Sequence, residues 1–185
     1  MKGFVRKDRW LSLCGLNCGL CTMRLGGYCP GCGGGTGNQA CAIARCSLEH
    51  GGVEYCWQCE EFPCARYEGI DEFDSFITHQ NRLRDLEKAR DIGLEAYQAE
   101  QREKERLLQF LLETCNDGRR KNFFALAVNL LELGSLQSIT AQLAAKEADT
   151  PLKEKAACAA ALLQQAAAQQ EIHLKLRKKP GKNGT

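Results

Sequence analysis

Ten of the twelve cysteines lie between Cys14 and Cys64. Three neighbouring pairs have the spacing C-x-x-C: Cys18/Cys21, Cys29/Cys32 and Cys56/Cys59. Two residues between thiolates let both sulfurs point into one turn, which suits a tetrahedral metal ion or one edge of an iron–sulfur cluster. A single pair would be weak evidence. Three pairs, with four more cysteines among them, predict a metal-binding module.

The cysteine-rich region has too few long aliphatic side chains for an ordinary core. Residues 1–70 hold most of the glycine and cysteine, and a segment of this size usually needs disulfides or metal to stay folded. Residues 71–176 are rich in Leu, Ala, Gln and Glu, and residues 177–185 read as a basic flexible tail. We therefore predict a mainly α protein, with a loop-rich, cysteine- and metal-stapled N-terminal module and an α-helical C-terminal domain of four or five helices.

The first part of the helical region has clear signals. Asp71 or Asp74 can cap a short segment, and residues 80–115 predict one or two long helices with a break at Gly93. Residues 95–106 are very polar, so we expect this stretch to face solvent or an unknown protein partner. No run with the period of two expected for a strand extends over more than a few residues.

The second part of the helical region is more apolar. Residues 123–133 predict a buried helix that ends at Gly134, and Ser135 is expected to cap the next helix. Thr150 followed by Pro151 predicts the start of the last helix, with Thr150 as the cap and Pro151 as the first helical residue. The two remaining cysteines, outside the cluster, sit on apolar helix faces and are expected to be buried small hydrophobes: Cys115 and Cys158.

The expected cellular location of the protein is inferred from its first residues and from its hydropathy. The start, MKGFVRKDRWLSL, carries charges where a signal peptide needs its apolar centre, and no apolar run is long enough to cross a bilayer. A cysteine-rich chain without an export signal is expected in the cytoplasm, with reduced thiols that bind metal. The net charge of +2 does not favour nucleic acid, although a zinc protein using the basic run Lys175–Lys182 stays an alternative.

Zinc is the expected metal. Ten thiolates serve two four-cysteine sites with two left over, and Cys29-Pro-Gly-Cys32-Gly resembles a zinc knuckle. The expected ligands are Cys14, Cys18, Cys21, Cys29, Cys32, Cys41, Cys46, Cys56, Cys59 and Cys64. A [4Fe-4S] cluster for electron transfer or redox sensing would use the same thiolates. His50 is either an additional ligand or an exposed turn residue.

The opening triplet Cys14-x-x-x-Cys18-x-x-Cys21 has the spacing of the cluster loop of radical S-adenosylmethionine enzymes. Those enzymes carry the loop in an α/β barrel, whereas this chain shows no alternation of strands and helices. Hydrolase and phosphate-binding motifs are also missing from the sequence. A non-enzymatic, structural or interaction role is therefore favoured over catalysis.

The order of the cysteines resembles a family of small cysteine-rich bacterial and archaeal proteins classed as a domain of unknown function. The resemblance covers roughly residues 12–70. It is carried by Cys14-Gly-Leu-x-Cys18-x-x-Cys21, Cys29-Pro-Gly-Cys32, Cys41-x₄-Cys46 and Cys56-x-x-Cys59-Glu-Glu-Phe-Pro-Cys64. It implies metal binding, with zinc as the usual assumption, and no particular reaction.

Overall fold

The computed structural model describes residues 2–35, 41–146 and 149–180. In these ranges the chain forms seven α-helices and no β-strand, as the sequence predicted. The helices are α1 (Thr22–Leu25), α2 (Ala42–Glu49), α3 (Arg82–Ile92), α4 (Leu94–Thr114), α5 (Lys121–Leu130), α6 (Leu133–Ala144) and α7 (Leu152–Gln169). None of them, in the part of the chain described, is both long and apolar enough to cross a membrane.

The N-terminal part is mostly loops and turns. Its short 3-10 helices cover Cys18–Leu20, Cys56–Gln58 and Ala65–Tyr67. The helical turn expected between Cys41 and Cys46 is present as the first part of α2. A small buried cluster forms beneath these loops and consists of Phe4, Leu13, Ile43 and Ala44. This small apolar centre agrees with the expectation that the region lacks an ordinary core.

Gly93 separates α3 from α4, as predicted. Its φ of +87° lies in the left-handed region, which glycine adopts at little cost. The expectation that residues 95–106 are solvated holds for only one side of α4. Tyr97, Gln101 and Lys104 are buried on the other side, so this polar stretch is also part of the interior.

The segment after residue 70 corrects one prediction, because residues 71–80 form turns and no helix. The Asp74 carboxylate accepts the backbone N–H of His79 at 2.6 Å and that of Arg177 at 2.7 Å. The Asp74 backbone N–H in turn donates to the Arg177 carbonyl at 2.7 Å. Asp74 is therefore used to hold two distant segments together, and the first residue of the predicted tail is anchored. Residues 181–185 of that tail lie outside the described residues.

Two helix boundaries also differ from the predictions. Helix α5 ends at Leu130 because Leu131 turns into an extended conformation with ψ of 151°. Helix α6 begins at Leu133, so Gly134 and Ser135 lie in its first turn and neither ends nor caps a helix. The start of α7 differs as well, because Pro151, the predicted first helical residue, occupies the N-cap and the helix begins at Leu152.

The main core lies between α4, α5, α6 and α7. It is built mainly from leucine and alanine, with Phe124 fully buried at its centre. Cys115 belongs to this cluster and Cys158 packs against it, as expected for cysteines that act as small hydrophobes. Leu20, from the cysteine-rich part, is 2% exposed and belongs to the same cluster. The loop that carries the opening cysteines is therefore packed onto the helices.

Candidate metal centre

All twelve cysteines are free thiols in the structure, and each of them lies in a described range. Nine of the ten candidate ligands are partly buried, and Cys41 is exposed. The sulfurs fall into two neighbouring sets, one around Cys18 and one that lines a small cavity, and Cys14 of the first set also lies close to Cys56 of the second. We name them the first thiol group, Cys14, Cys18, Cys21 and Cys32, and the second thiol group, Cys46, Cys56, Cys59 and Cys64.

The first thiol group surrounds the Cys18 sulfur. Burial, followed by the neighbouring sulfurs of Cys32 and Cys14, raises the pKa of Cys18 to about 12, and Cys21 adds to the effect. The backbone N–H of Cys32 faces the Cys18 sulfur, and that of Leu13 faces the Cys32 sulfur. Backbone N–H groups directed at sulfur stabilise thiolates. A cation placed among these sulfurs would favour their ionised form.

Helices α3 and α4 position the loop that carries the first thiol group. Gly15 has a φ of +96°, and a Cβ there would lie only 2.2 Å from the Arg82 carbonyl oxygen. The Asn17 side-chain amide donates to Asp85 at 2.6 Å, and its oxygen accepts the Tyr97 hydroxyl at 2.9 Å. Glycine is therefore required where the loop meets α3, and Asn17 fixes the loop beside Cys18.

The second thiol group lines a small cavity of about 30 Å³. This volume is enough for a single ion or water molecule. Burial is the largest cause that raises the pKa of Cys56, to about 12. The buried Tyr67 hydroxyl faces the Cys56 sulfur and lowers the pKa of Cys56, in opposition to burial, and it has no other hydrogen-bond partner among the described residues. A thiolate at Cys56 would be a stronger acceptor for this hydroxyl than the neutral thiol.

His50 lies at the rim of the same cavity. Its Nδ1 is 2.9 Å from the Cys46 carbonyl oxygen and 3.6 Å from the Cys46 sulfur, and its Nε2 is 3.9 Å from a Glu61 carboxylate oxygen. The residue is exposed and caps α2, as expected for the turn after this helix. His50 therefore stands beside the second thiol group, with Nδ1 occupied by the helix carbonyl.

Two arginines stand close to the sulfurs, and sequence reasoning missed both. Burial raises the pKa of Cys32, and Arg6, which is itself buried and donates to the Leu11 carbonyl at 2.9 Å, opposes this rise. Arg66 is exposed, and its pKa is raised by the neighbouring sulfur of Cys46. An ion of charge +2 with four thiolates is net −2, so such cations would partly balance each site. Arg66 follows the final cysteine by two residues, which is the only sequence signal for it.

The donor set fits zinc or an iron–sulfur cluster, since both are held by cysteine thiolates. Among residues 2–35, 41–146 and 149–180, however, no three Cys, His, Asp or Glu side chains are gathered tightly enough to hold a metal ion. The sulfurs of each group would therefore have to move together around a shared ion. Cys29 and Cys41, expected to be ligands, are not among the sulfurs that raise the pKa of Cys18 or Cys56, and neither of them lines the small cavity.

Comparison of the chain with protein-family models, with curated proteins and with solved structures gives no match. The functional interpretation therefore depends on the residues described above.

Proposed function

We propose that this protein binds two zinc ions, one in each thiol group, and that the ions hold its N-terminal region together as a structural or interaction module. The observation that carries the proposal is the gathering of free thiols around a buried apolar cluster of only four residues. Structural zinc with four thiolates supplies folding free energy where apolar burial is too small.

The assignment of the ligands follows from the two groups. Eight thiols divide into two sets of four, which is the number that structural zinc takes. Cys29 and Cys41 are then the two cysteines left over. The first group is supported by backbone N–H groups directed at sulfur, and the second by the small shared cavity and by the Tyr67 hydroxyl directed at the Cys56 sulfur.

Elemental analysis and a visible spectrum of protein prepared without oxygen test the metal. We expect a colourless protein with two zinc ions per chain and no iron. Iron with brown colour and absorbance near ~400 nm would contradict zinc and favour a cluster for electron transfer or redox sensing. Protein that retains neither metal after preparation with both metals supplied would contradict metal binding altogether.

Single cysteine variants test the assignment. Cys18→Ser and Cys56→Ser should each lower the zinc content by one ion, because each removes a ligand from a different group. Cys41→Ser is the matched control and should retain both ions. Loss of zinc in Cys41→Ser, or full zinc content in Cys18→Ser, would show that the ligands are divided differently.

A further inference from the structure

A second, larger cavity lies between the N-terminal segment and the first half of α4. Its volume is about 480 Å³, within the ~300–1,000 Å³ that small-molecule sites occupy. Two leucines and three aromatic side chains form its apolar wall: Trp10, Leu11, Tyr55, Leu94 and Tyr97. None of its lining residues is a cysteine, so this cavity is distinct from both thiol groups. An apolar, aromatic wall of this size suits a ligand with a flat ring.

One of the two carboxylates in the cavity is fully used by the protein. Asp8 Oδ1 accepts the backbone N–H of Trp10 at 2.7 Å. Asp8 Oδ2 accepts the Tyr55 hydroxyl at 2.5 Å and the Gln98 side-chain N–H at 3.0 Å. These bonds tie the N-terminal segment to the Tyr55 loop and to α4. Asp8 therefore builds the wall and is not available to bind a cationic ligand.

The protein uses the second carboxylate, Glu54, through one of its two oxygens. Glu54 Oε1 accepts the Asp8 backbone N–H at 2.8 Å and lies 3.6 Å from the buried Arg6 guanidinium. The two cations that line the cavity, Lys7 and Arg102, are exposed, and neither has an ion-pair partner among the described residues. Glu54 is paired with Arg6, so Lys7 and Arg102 stand against the single carboxylate charge of Asp8, and one positive charge remains at the cavity.

Gln101 gives the cavity an adaptable polar group. It is 9% exposed, and its Oε1 has no hydrogen-bond partner in the described ranges. The side-chain amide of Gln101 can rotate toward a ligand without breaking a hydrogen bond to Oε1. An N–H donor on the ligand would then supply the hydrogen bond that Oε1 lacks. Leaving a buried acceptor unpaired costs about 1–3 kcal/mol, which such a donor would recover.

We propose that this cavity binds a small aromatic anion. The ring lies against Trp10 and Leu94, a ring N–H or amine reaches Gln101, and the anionic group is held by Lys7 and Arg102. A cationic ligand is disfavoured because both Asp8 oxygens are already hydrogen-bonded, Glu54 is paired with Arg6, and Lys7 and Arg102 would repel it. No cysteine lines the site, so dye binding is measured separately from zinc content, and failure of one proposal can be told apart from failure of the other.

The test uses 8-anilinonaphthalene-1-sulfonate, which has a flat apolar ring, one N–H donor and one sulfonate. The full chain carrying Trp57→Phe retains Trp10 as its single tryptophan. Titration of the dye should give saturable 1:1 binding, a blue shift of the dye emission and quenching of the Trp10 fluorescence. Binding without saturation, or without quenching of Trp10, would overturn the proposal.

A double variant separates the proposed site from general dye binding. Lys7→Ala with Arg102→Ala should weaken binding roughly five- to tenfold, as expected for two exposed charge contacts. The matched control removes two exposed cations outside the cavity, Arg119→Ala with Lys153→Ala, and should leave binding unchanged. Both are surface changes, and circular dichroism checks that each variant retains its helices.

A neutral dye tests whether the two cations act on the sulfonate group. N-phenyl-1-naphthylamine has the same rings and N–H but no sulfonate, so its affinity should not change in the Lys7→Ala, Arg102→Ala variant. Equal loss of affinity for both dyes would mean that the cations shape the wall and do not bind the anion. If the control variant lost as much affinity for 8-anilinonaphthalene-1-sulfonate as the Lys7→Ala, Arg102→Ala variant, the dye would be responding to the net charge of the protein alone. Either result contradicts the assignment of an anion site.

Discussion

Removal of metal by a chelator, under reducing conditions, should unfold residues 14–64 and leave the later helices folded. Helices α1 and α2 contain four and eight residues, whereas α3 to α7 contain 11, 21, 10, 12 and 18. Loss of the two early helices would therefore remove about one seventh of the α-helical signal.

The main core between α4 and α7 should survive because little of it comes from the N-terminal part, and only the smaller cluster that joins Leu11 and Tyr55 to Ala89 of α3 and Tyr97 of α4 would be opened. Among the residues that the structure describes, Leu20 is the single residue of the N-terminal part in the main buried cluster. Withdrawal of one leucine side chain costs about 2–3 kcal/mol, which is smaller than the ~5–15 kcal/mol stability of a typical domain. The remaining members of the cluster lie on α4 to α7 or directly after them.

Circular dichroism at 222 nm and hydrogen exchange detected by mass spectrometry measure the two effects. Exchange should rise in peptides from residues 14–64 and stay slow in the buried parts of α4 and α5, and added zinc should reverse the change. Loss of more than half of the helical signal would refute the division and show that the chain unfolds as one unit. Unchanged exchange in residues 14–64 after the metal is gone would refute the structural role of the metal.

Three further outcomes are expected from urea unfolding. Leu20→Ala should lower the free energy of unfolding by about 2–4 kcal/mol, as should Leu163→Ala in α7, but only the Leu20 effect should disappear after chelation. Tyr97→Phe removes the buried hydrogen bond to Asn17 and should cost about 1–2 kcal/mol, and no loss would mean that water replaces the hydroxyl. Burial raises the pKa of Asp85 from 3.8 to about 6, so the folded state holds a proton that the unfolded state releases between pH 4 and 6. The free energy of unfolding of the wild type, relative to that of Asp85→Asn, should therefore fall by up to about 3 kcal/mol as pH rises through this window. If the two proteins lost stability in parallel over this pH range, Asp85 would not be the group that holds the proton.

The sequence predicted the parts of the fold that depend on local signals. Gly93 breaks a long amphipathic pattern, and the break appears where glycine provides a positive φ. The predictions that Asp74 and Ser135 cap helices were wrong, because Asp and Ser side chains also form other hydrogen bonds and also occur inside helices. Asp74 binds a segment about a hundred residues away, and Ser135 lies inside α6, whose start is fixed where the chain leaves the buried Leu131. Such contacts between distant residues cannot be seen in a local pattern.

The candidate site was predictable in its donors but not in their grouping. The spacing of Cys29 and Cys32 suggested that both sulfurs enter one turn, yet of these two only Cys32 is among the sulfurs that raise the pKa of Cys18. The partners of these sulfurs depend on how the loop at Gly15 lies against α3, which is a tertiary contact. The cavity beside Trp10 was not predicted either, because its wall joins residues about ninety positions apart.

The cavity and the first thiol group share one piece of backbone, which makes them physically coupled. The Gly19 N–H donates to the Trp10 carbonyl at 3.0 Å, and an antiparallel bridge joins Leu11 to Asn17, so the cavity wall is held by the residues on either side of Cys18. An ion bound at Cys18 would restrict this backbone, and its removal would free the wall. Chelation should therefore weaken binding of 8-anilinonaphthalene-1-sulfonate in the wild type but not in a Cys18→Ser protein that has already lost that ion. Equal affinity before and after chelation of the wild type would mean that α4 and the Asp8 hydrogen bonds hold the wall without help from the metal.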